Sequence, residues 1–162
     1  MLFRSALPAP VLDIPVLPKT PPNAGRLPAD ADKSLRLALR AALKDKTDCE
    51  LMLENPPEPI KVQWLTGGKS LASAPCWRAA YNAGTAYWVI NAAPPWMPSL
   101  VTMKGTEYSD GVISAAHKGR GIGDCWSFDS WAWDGKRFVA AETATTGACT
   151  GIARSEEHTS EL

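Results

Sequence analysis

The residues best suited to chemistry lie in a glycine-rich basic loop, residues 118–123 (KGRGIG), which is followed directly by Asp124. Glycine amides together with the cationic side chains of Lys118 and Arg120 can form a nest that receives an anion. The same glycines can instead supply the positive φ angles of a tight bend. A dinucleotide site is not predicted, because such loops present the phosphate to the start of a helix, and here a strand-like pattern follows.

Acid–base chemistry is a second candidate, because His117 precedes this loop and Asp124 follows it. A histidine base beside a carboxyl group would suit the hydrolysis of a cell-envelope polysaccharide. Asp129 and Asp134 add two carboxylates, but Asp129 lies among polar residues and Asp134 precedes a glycine in a turn. Asp124 can likewise accept hydrogen bonds from loop amides. No serine elbow or cysteine–histidine pair accompanies them, so no catalytic residue is assigned.

The four cysteines, Cys49, Cys76, Cys125 and Cys149, are even in number and widely spaced, and no C-x-x-C occurs. Two disulfides are predicted. Cys49–Cys76 and Cys125–Cys149 is the preferred pairing, because each bond joins segments that local patterns already place side by side. The alternative is four buried thiols in a cytosolic protein. No metal site is predicted, because histidine ligands are too few.

The elements around these residues begin with a helix, whose apolar side is formed by Leu35, Leu39, Ala42 and Leu43, with Asp30 or Asp32 as its cap. Short strands are predicted at 49–54, 61–66, 71–81, 85–91, 100–103, 106–108 and 112–116. A hairpin follows, with its turn at 134–135. The fold class is therefore α+β, with one N-terminal helix and a predominantly antiparallel, disulfide-stapled β-sheet or sandwich.

The three tryptophans of this hairpin region, Trp126, Trp131 and Trp133, have two interpretations. Aromatic faces can line a carbohydrate or peptide groove. In a small domain they more often supply the core, because each ring buries a large apolar area. Trp131 and Trp133 share one face of the predicted strand, and the core interpretation is preferred.

The two ends of the chain differ from its centre. Residues 1–28 contain seven of the fourteen prolines and are interpreted as a stiff linker. Residues 154–162 are similar to the translation of a sequencing adapter, and we expect an artefactual, disordered tail there. Without its one arginine and three glutamates, the formal charge changes from zero to +2, which is too small to predict nucleic-acid binding. No stretch is apolar for long enough to predict a membrane span.

Four ordered segments carry a family resemblance: residues 76–90 (CWRAAYNAGTAYWVI), 108–125 (YSDGVISAAHKGRGIGDC), 131–138 (WAWDGKRF) and 147–151 (GACTG). Together they resemble a family of proteobacterial extracytoplasmic proteins known as domain of unknown function 1176. The resemblance covers roughly residues 30–153. It implies that the protein is periplasmic or secreted, and that this chain is a fragment comprising the C-terminal part of a longer protein. It implies no activity, cofactor or catalytic residue.

These observations lead to one functional prediction for residues 29–153, taken as a single domain. We expect a non-catalytic module that binds an envelope protein or an anionic ligand through Lys118, Arg120 and Asp124. The alternative prediction is a cell-envelope polysaccharide hydrolase that uses Asp124 and His117. No cofactor, nucleic acid or membrane span is expected in either case.

Overall fold

A computed structural model describes residues 29–45 and 48–151, and within them it contains two antiparallel four-stranded sheets and one α-helix. The first sheet has the order β1-β2-β3-β4 and the second β5-β6-β7-β8, so chain neighbours are also sheet neighbours. The elements are α1 (Ala29–Ala41), β1 (Lys61–Trp64), β2 (Lys69–Arg78), β3 (Ala83–Asn91), β4 (Ser99–Gly105), β5 (Glu107–Ser109), β6 (Val112–Lys118), β7 (Trp126–Trp133) and β8 (Phe138–Thr145).

The helix covers one face of the first sheet. Leu35, Leu39 and Leu43 recur every four residues, so they lie along one side of the helix and its C-terminal continuation. All three are buried in a cluster that also contains Trp88 and Ile90 of β3. The predicted apolar side of the helix is confirmed, but its predicted cap is wrong. Because α1 already begins at Ala29, Asp32 lies inside the helix and pairs with Arg36 at 3.6 Å.

A second cluster fills the space between the two sheets. It contains Leu71 and Tyr87 of the first sheet and Ile113 and Trp133 of the second. The indole Nε1–H of Trp133 donates a hydrogen bond to Thr66 Oγ1 over 2.8 Å, which links the sheets at one point. The molecule is therefore a three-layer arrangement of helix, sheet and sheet.

The predicted α+β class with predominantly antiparallel strands is confirmed. Both hairpins form, since β2 pairs with β3 and β7 pairs with β8, and the second turn falls at the predicted positions 134–135. The first turn occupies residues 79–82, earlier than the gap between the predicted strands 71–81 and 85–91. Asp134 Oδ1 accepts hydrogen bonds from the N–H groups of Lys136 and Arg137, each over 2.8 Å, so its structural role in the turn is confirmed.

The prediction of a strand at 49–54 is wrong, because Glu50–Leu53 forms a short 3-10 helix. Cys49 adopts a left-handed conformation with φ of 59° and starts that turn. Cys49 and Met52 are both buried, whereas Leu53 is exposed. A burial spacing of three residues suits a 3-10 helix and not a strand.

The proline-rich segment 1–28 and the tail 154–162 lie outside the described residues. Among the residues that are described, no helix has the length and apolar character needed to cross a membrane.

Candidate functional site

Both predicted disulfides are present. Cys49 bonds to Cys76 across a separation of 27 residues, and Cys125 bonds to Cys149 across 24. The first bond ties the 3-10 helix to β2, and the second ties the glycine-rich loop to the segment after β8. Disulfides persist in oxidising compartments, so the structure is that of an exported protein.

The glycine-rich loop joins β6 to β7 as a tight bend. Gly119 N–H donates to the Cys125 carbonyl oxygen over 2.9 Å, and Gly123 N–H donates to the Arg120 carbonyl oxygen over 3.0 Å. A Cβ atom on Gly119 would lie 2.5 Å from Cys125 Sγ, so the disulfide itself requires glycine at this position. Gly123 has a φ of 71°, which favours glycine as well. Two of the glycines therefore have structural roles.

The turn between β2 and β3 clamps the start of this loop. Asn82 Nδ2–H donates to the Lys118 carbonyl oxygen, and the Lys118 N–H donates to Asn82 Oδ1, both over 2.9 Å. Because both partners are fixed, the backbone at Lys118 is held in place. Its side chain is left to reach the ring of Trp126, where Nζ lies 5.4 Å from the ring centroid.

Arg120 and Asp124, two of the predicted binding residues, form an ion pair with each other. The same carboxylate oxygen, Oδ2, accepts a hydrogen bond of 2.7 Å from the Gly151 N–H, while Oδ1 is buried without a partner among the described residues. Burial raises the pKa of Asp124, but the hydrogen bonds from Gly151 and Arg120 outweigh it and hold the pKa below its ordinary value. Asp124 is therefore an internal anion that anchors the loop.

Ligand atoms of Asp124, Cys125 and Cys149 lie within 4.8 Å of one another. This group is not a metal centre, because the two sulfur atoms are bonded to each other and a metal needs thiolates.

His117 contacts a backbone carbonyl and a tryptophan ring, and not Asp124, its partner in the predicted hydrolase site. Its Nε2 lies 3.2 Å from the Ala83 carbonyl oxygen, and because that oxygen can only accept, Nε2 carries the proton. The imidazole also lies against the Trp77 ring, with centroids 5.5 Å apart. The residues of the predicted hydrolase pair thus have separate structural environments.

Asp129 forms an ion pair between the two sheets. Lys104 Nζ of β4 donates to Asp129 Oδ2 of β7 over 2.7 Å, and Thr143 Oγ1 donates to Oδ1 over 3.0 Å. These bonds, led by the one from Lys104, hold the pKa of Asp129 below its ordinary value despite partial burial.

Replacing Asp129 with asparagine is expected to lower the free energy of unfolding by about 0.5–1 kcal/mol at pH 7, since Lys104 is half-exposed and solvent screens the pair. The pKa of Asp129 is lower in the folded state than in the unfolded chain. Its contribution is therefore complete above about pH 4, the ordinary range of an aspartate, and is lost as the pH falls further. Urea unfolding at pH 7 and pH 3 measures this. An equal deficit at both pH values would contradict the assignment.

The outer face of the second sheet carries an aromatic pair, Trp126 and Phe128, of which only Trp126 was a candidate from the sequence. The rings of Trp126 and Phe128 stack at 6.2 Å with an interplanar angle of 11°. Ala116 and Ala144 flank Phe128 on the neighbouring strands, so small side chains leave its ring accessible. The alternation of side chains along β7 could have predicted this pair from the sequence. Positions 126 and 128 lie on the outer face of the strand, whereas positions 131 and 133 face the core.

The fold and this surface define a class: an exported, disulfide-linked β-rich protein with an aromatic and cationic surface beside a tight glycine loop. The chain belongs to the family described as "Protein of unknown function (DUF1176)", whose model matches residues 4–160. This match confirms the family resemblance seen in the sequence. No curated protein and no solved structure matches the chain.

Proposed function

We propose that this protein is a non-catalytic binding module of the periplasm or the secreted fraction, which docks an acidic surface of an envelope protein. The contact is made by the loop patch, defined as Lys118, Arg120, Ile122, Trp126 and Phe128. The observation that carries the proposal is the stacked Trp126–Phe128 pair on an outer sheet face, directly beside the basic loop.

Exposure supports a contact surface. Ile122 is 53% exposed at the tip of the loop and Phe128 is 37% exposed on β7. Both hydrophobic clusters of the described residues lie elsewhere, between α1 and the first sheet and between the two sheets. Contiguous exposed apolar side chains mark interaction sites, and aromatic residues and arginine are enriched at the centres of interfaces.

The charge of the loop patch favours an acidic partner. Asp124 offsets one of the two cations, and it is already held by Arg120 and the Gly151 amide. The remaining positive charge belongs to Lys118, which lies over Trp126. A cation over the half-buried ring of Trp126 can meet a carboxylate of the partner, while the exposed ring of Phe128 beside it buries apolar area.

The hydrolase alternative gains no support from this geometry and stays a prediction. A general acid needs a raised pKa, whereas the pKa of Asp124 is lowered. The Nε2–H of His117 is committed to a backbone carbonyl.

Site-specific photo-crosslinking tests the proposal. A benzoylphenylalanine placed at position 128 is expected to yield a discrete adduct in the host's cell-envelope extract, with the partner's contact peptide rich in Asp and Glu. The same probe at Trp64, an exposed aromatic of β1 in the first sheet, is the matched control and should yield none. Identical adducts at both positions, or no adduct at 128, would reject the loop patch.

Lys118→Glu should reduce the yield of that adduct about tenfold, because charge reversal places like charges in contact. Lys118 is the better substitution than Arg120. An Arg120→Ala variant would leave the buried carboxylate of Asp124 without its cation, so a loss of binding would be confounded by a loss of stability.

A further inference from the structure

The described residues line an open cleft of about 700 Å³ between the first sheet and β5, and it shares no residue with the loop patch. Its size lies within the range of small-molecule sites. Pro59 and Ile60 bound it on one side, and residues 106–108 bound it on the other. We call it the inter-sheet cleft.

The floor of the inter-sheet cleft is polar, whereas β2 and β3 present apolar side chains farther along the same face of the first sheet. Lys61, Ser73 and Tyr87 are neighbours across β1, β2 and β3, so their side chains form one row on one face. The next row on that face contains Leu71 and Val89, which belong to the apolar cluster between the sheets. Gln63, the β1 member of this second row, also lines the cleft, so the cleft lies where polar side chains border the apolar cluster.

The ring of Tyr87 is held in place by packing, and its hydroxyl can donate a hydrogen bond. Its ring packs over Gly105, where a Cβ atom would lie 2.4 Å from the ring, so glycine is needed to seat it. Burial, followed by the nearby charge of Glu107, raises the pKa of Tyr87 to about 12. The phenol therefore stays protonated at physiological pH, with the Glu107 carboxylate near it as an acceptor.

A second tyrosine lines the same cleft. The hydroxyl of Tyr108 is buried and has no hydrogen-bond partner among the described residues. Because that hydroxyl is shielded from solvent, a ligand in the cleft would meet the other atoms of Tyr108, which contribute an aromatic wall.

We propose that the inter-sheet cleft binds a neutral, hydroxyl-rich ligand, namely a sugar unit of an oligosaccharide. Donors at Lys61, Ser73 and Tyr87 stand with the acceptor Glu107, and a sugar hydroxyl both donates and accepts. The charges of Lys61 and Glu107 balance, so the lining carries no net formal charge that would favour an ionic ligand, and an apolar ligand would leave these polar groups unpaired. The aromatic walls would suit the apolar face of a sugar ring.

Amide spectra of the oxidised, full chain in ¹H–¹⁵N correlation experiments test this inference with two neutral probes, maltotriose and triacetylchitotriose. At least one should give saturable shifts at residues 61–63, 73 and 106–108. Citrate, an anionic probe, should give none there. Shifts with citrate alone, shifts confined to the loop patch, or no shifts with either sugar would overturn the proposal.

Two conservative variants assign the cleft residues. Tyr87→Phe removes one hydroxyl and keeps the ring, and Glu107→Gln removes a charge from an exposed side chain. Each should weaken sugar binding about tenfold, because each removes one hydrogen bond to the ligand. In Glu107→Gln the bond that is lost is one to a charged group. Glu142→Gln, at an exposed position on β8, is the control and should bind normally. Unchanged affinity in both cleft variants, with unchanged spectra elsewhere, would also overturn the proposal.

Discussion

Replacing Cys49 and Cys76 together with alanine is expected to lower the free energy of unfolding by about 3–4 kcal/mol. The bond closes a loop with a separation of 27 residues, and the chain-entropy model assigns about that much to a loop of this length. Both cysteines are also buried, so removing the two sulfur atoms leaves unfilled space in the cluster beneath α1. Urea unfolding, followed by far-ultraviolet circular dichroism under non-reducing conditions, measures the change.

The second disulfide provides the matched comparison. Cys125–Cys149 closes a loop of similar length, with a separation of 24 residues, but Cys149 is exposed. Because Cys125 is buried and Cys149 is not, its double alanine variant should lose the loop-entropy contribution with a smaller packing contribution, and be the less destabilised of the two. A Cys49/Cys76 variant as stable as the parent protein would show that this bond does not stabilise the fold.

Trp133→Ala is the second large effect, with an expected loss of about 3–5 kcal/mol, as is usual for truncating a buried aromatic side chain. Trp133 is 1% exposed between the two sheets and contacts the ring of Phe138, with centroids 5.2 Å apart. Its removal would open a cavity where the sheets meet. Denaturant unfolding gives the magnitude. Trp64→Ala, at a side chain that is 44% exposed, is the control and should cost far less.

A milder variant covers the case in which Trp133→Ala does not fold. Trp133→Phe keeps most of the apolar ring and removes the hydrogen bond to Thr66, for an expected loss of about 1–2 kcal/mol. Combining it with Thr66→Val completes a double-mutant cycle. Strictly additive losses in that cycle would mean that the hydrogen bond between the sheets contributes nothing.

The fold was largely predictable because its signals are local. The helix face depends on a spacing of four residues from Leu35 to Leu43, and the turn between β7 and β8 depends on Asp134 and Gly135, directly after β7. Both disulfides followed from placing neighbouring segments together. The segment 49–54 failed because alternation over six residues does not distinguish a strand from a short 3-10 turn. The contact with β2 through Cys76 determines which one forms.

The candidate site was predicted only in part, for a related reason. The loop residues Lys118, Arg120 and Asp124 were identified from their types, and in the structure Arg120 pairs with Asp124 while Lys118 lies over Trp126. The sequence did not show which of these residues has a structural role in the loop and which remains available for binding. Asp124 accepts from Gly151, which is 27 residues away in the chain, and this makes it an anchor of the loop. The inter-sheet cleft was missed entirely, because its residues come from four strands and none forms a motif with its chain neighbours.

By itself, the sequence determined the helix face and the hairpins, since periodicity and turn stereochemistry act over a few neighbouring residues. It also indicated a preferred cysteine pairing, and its ordered segments carried the family resemblance. Only the tertiary structure decided which charged side chains pair with each other inside the protein, which aromatic rings stay exposed and which polar side chains line a common cleft. Those properties depend on how distant strands pack, because burial and hydrogen bonding are set by neighbours in space.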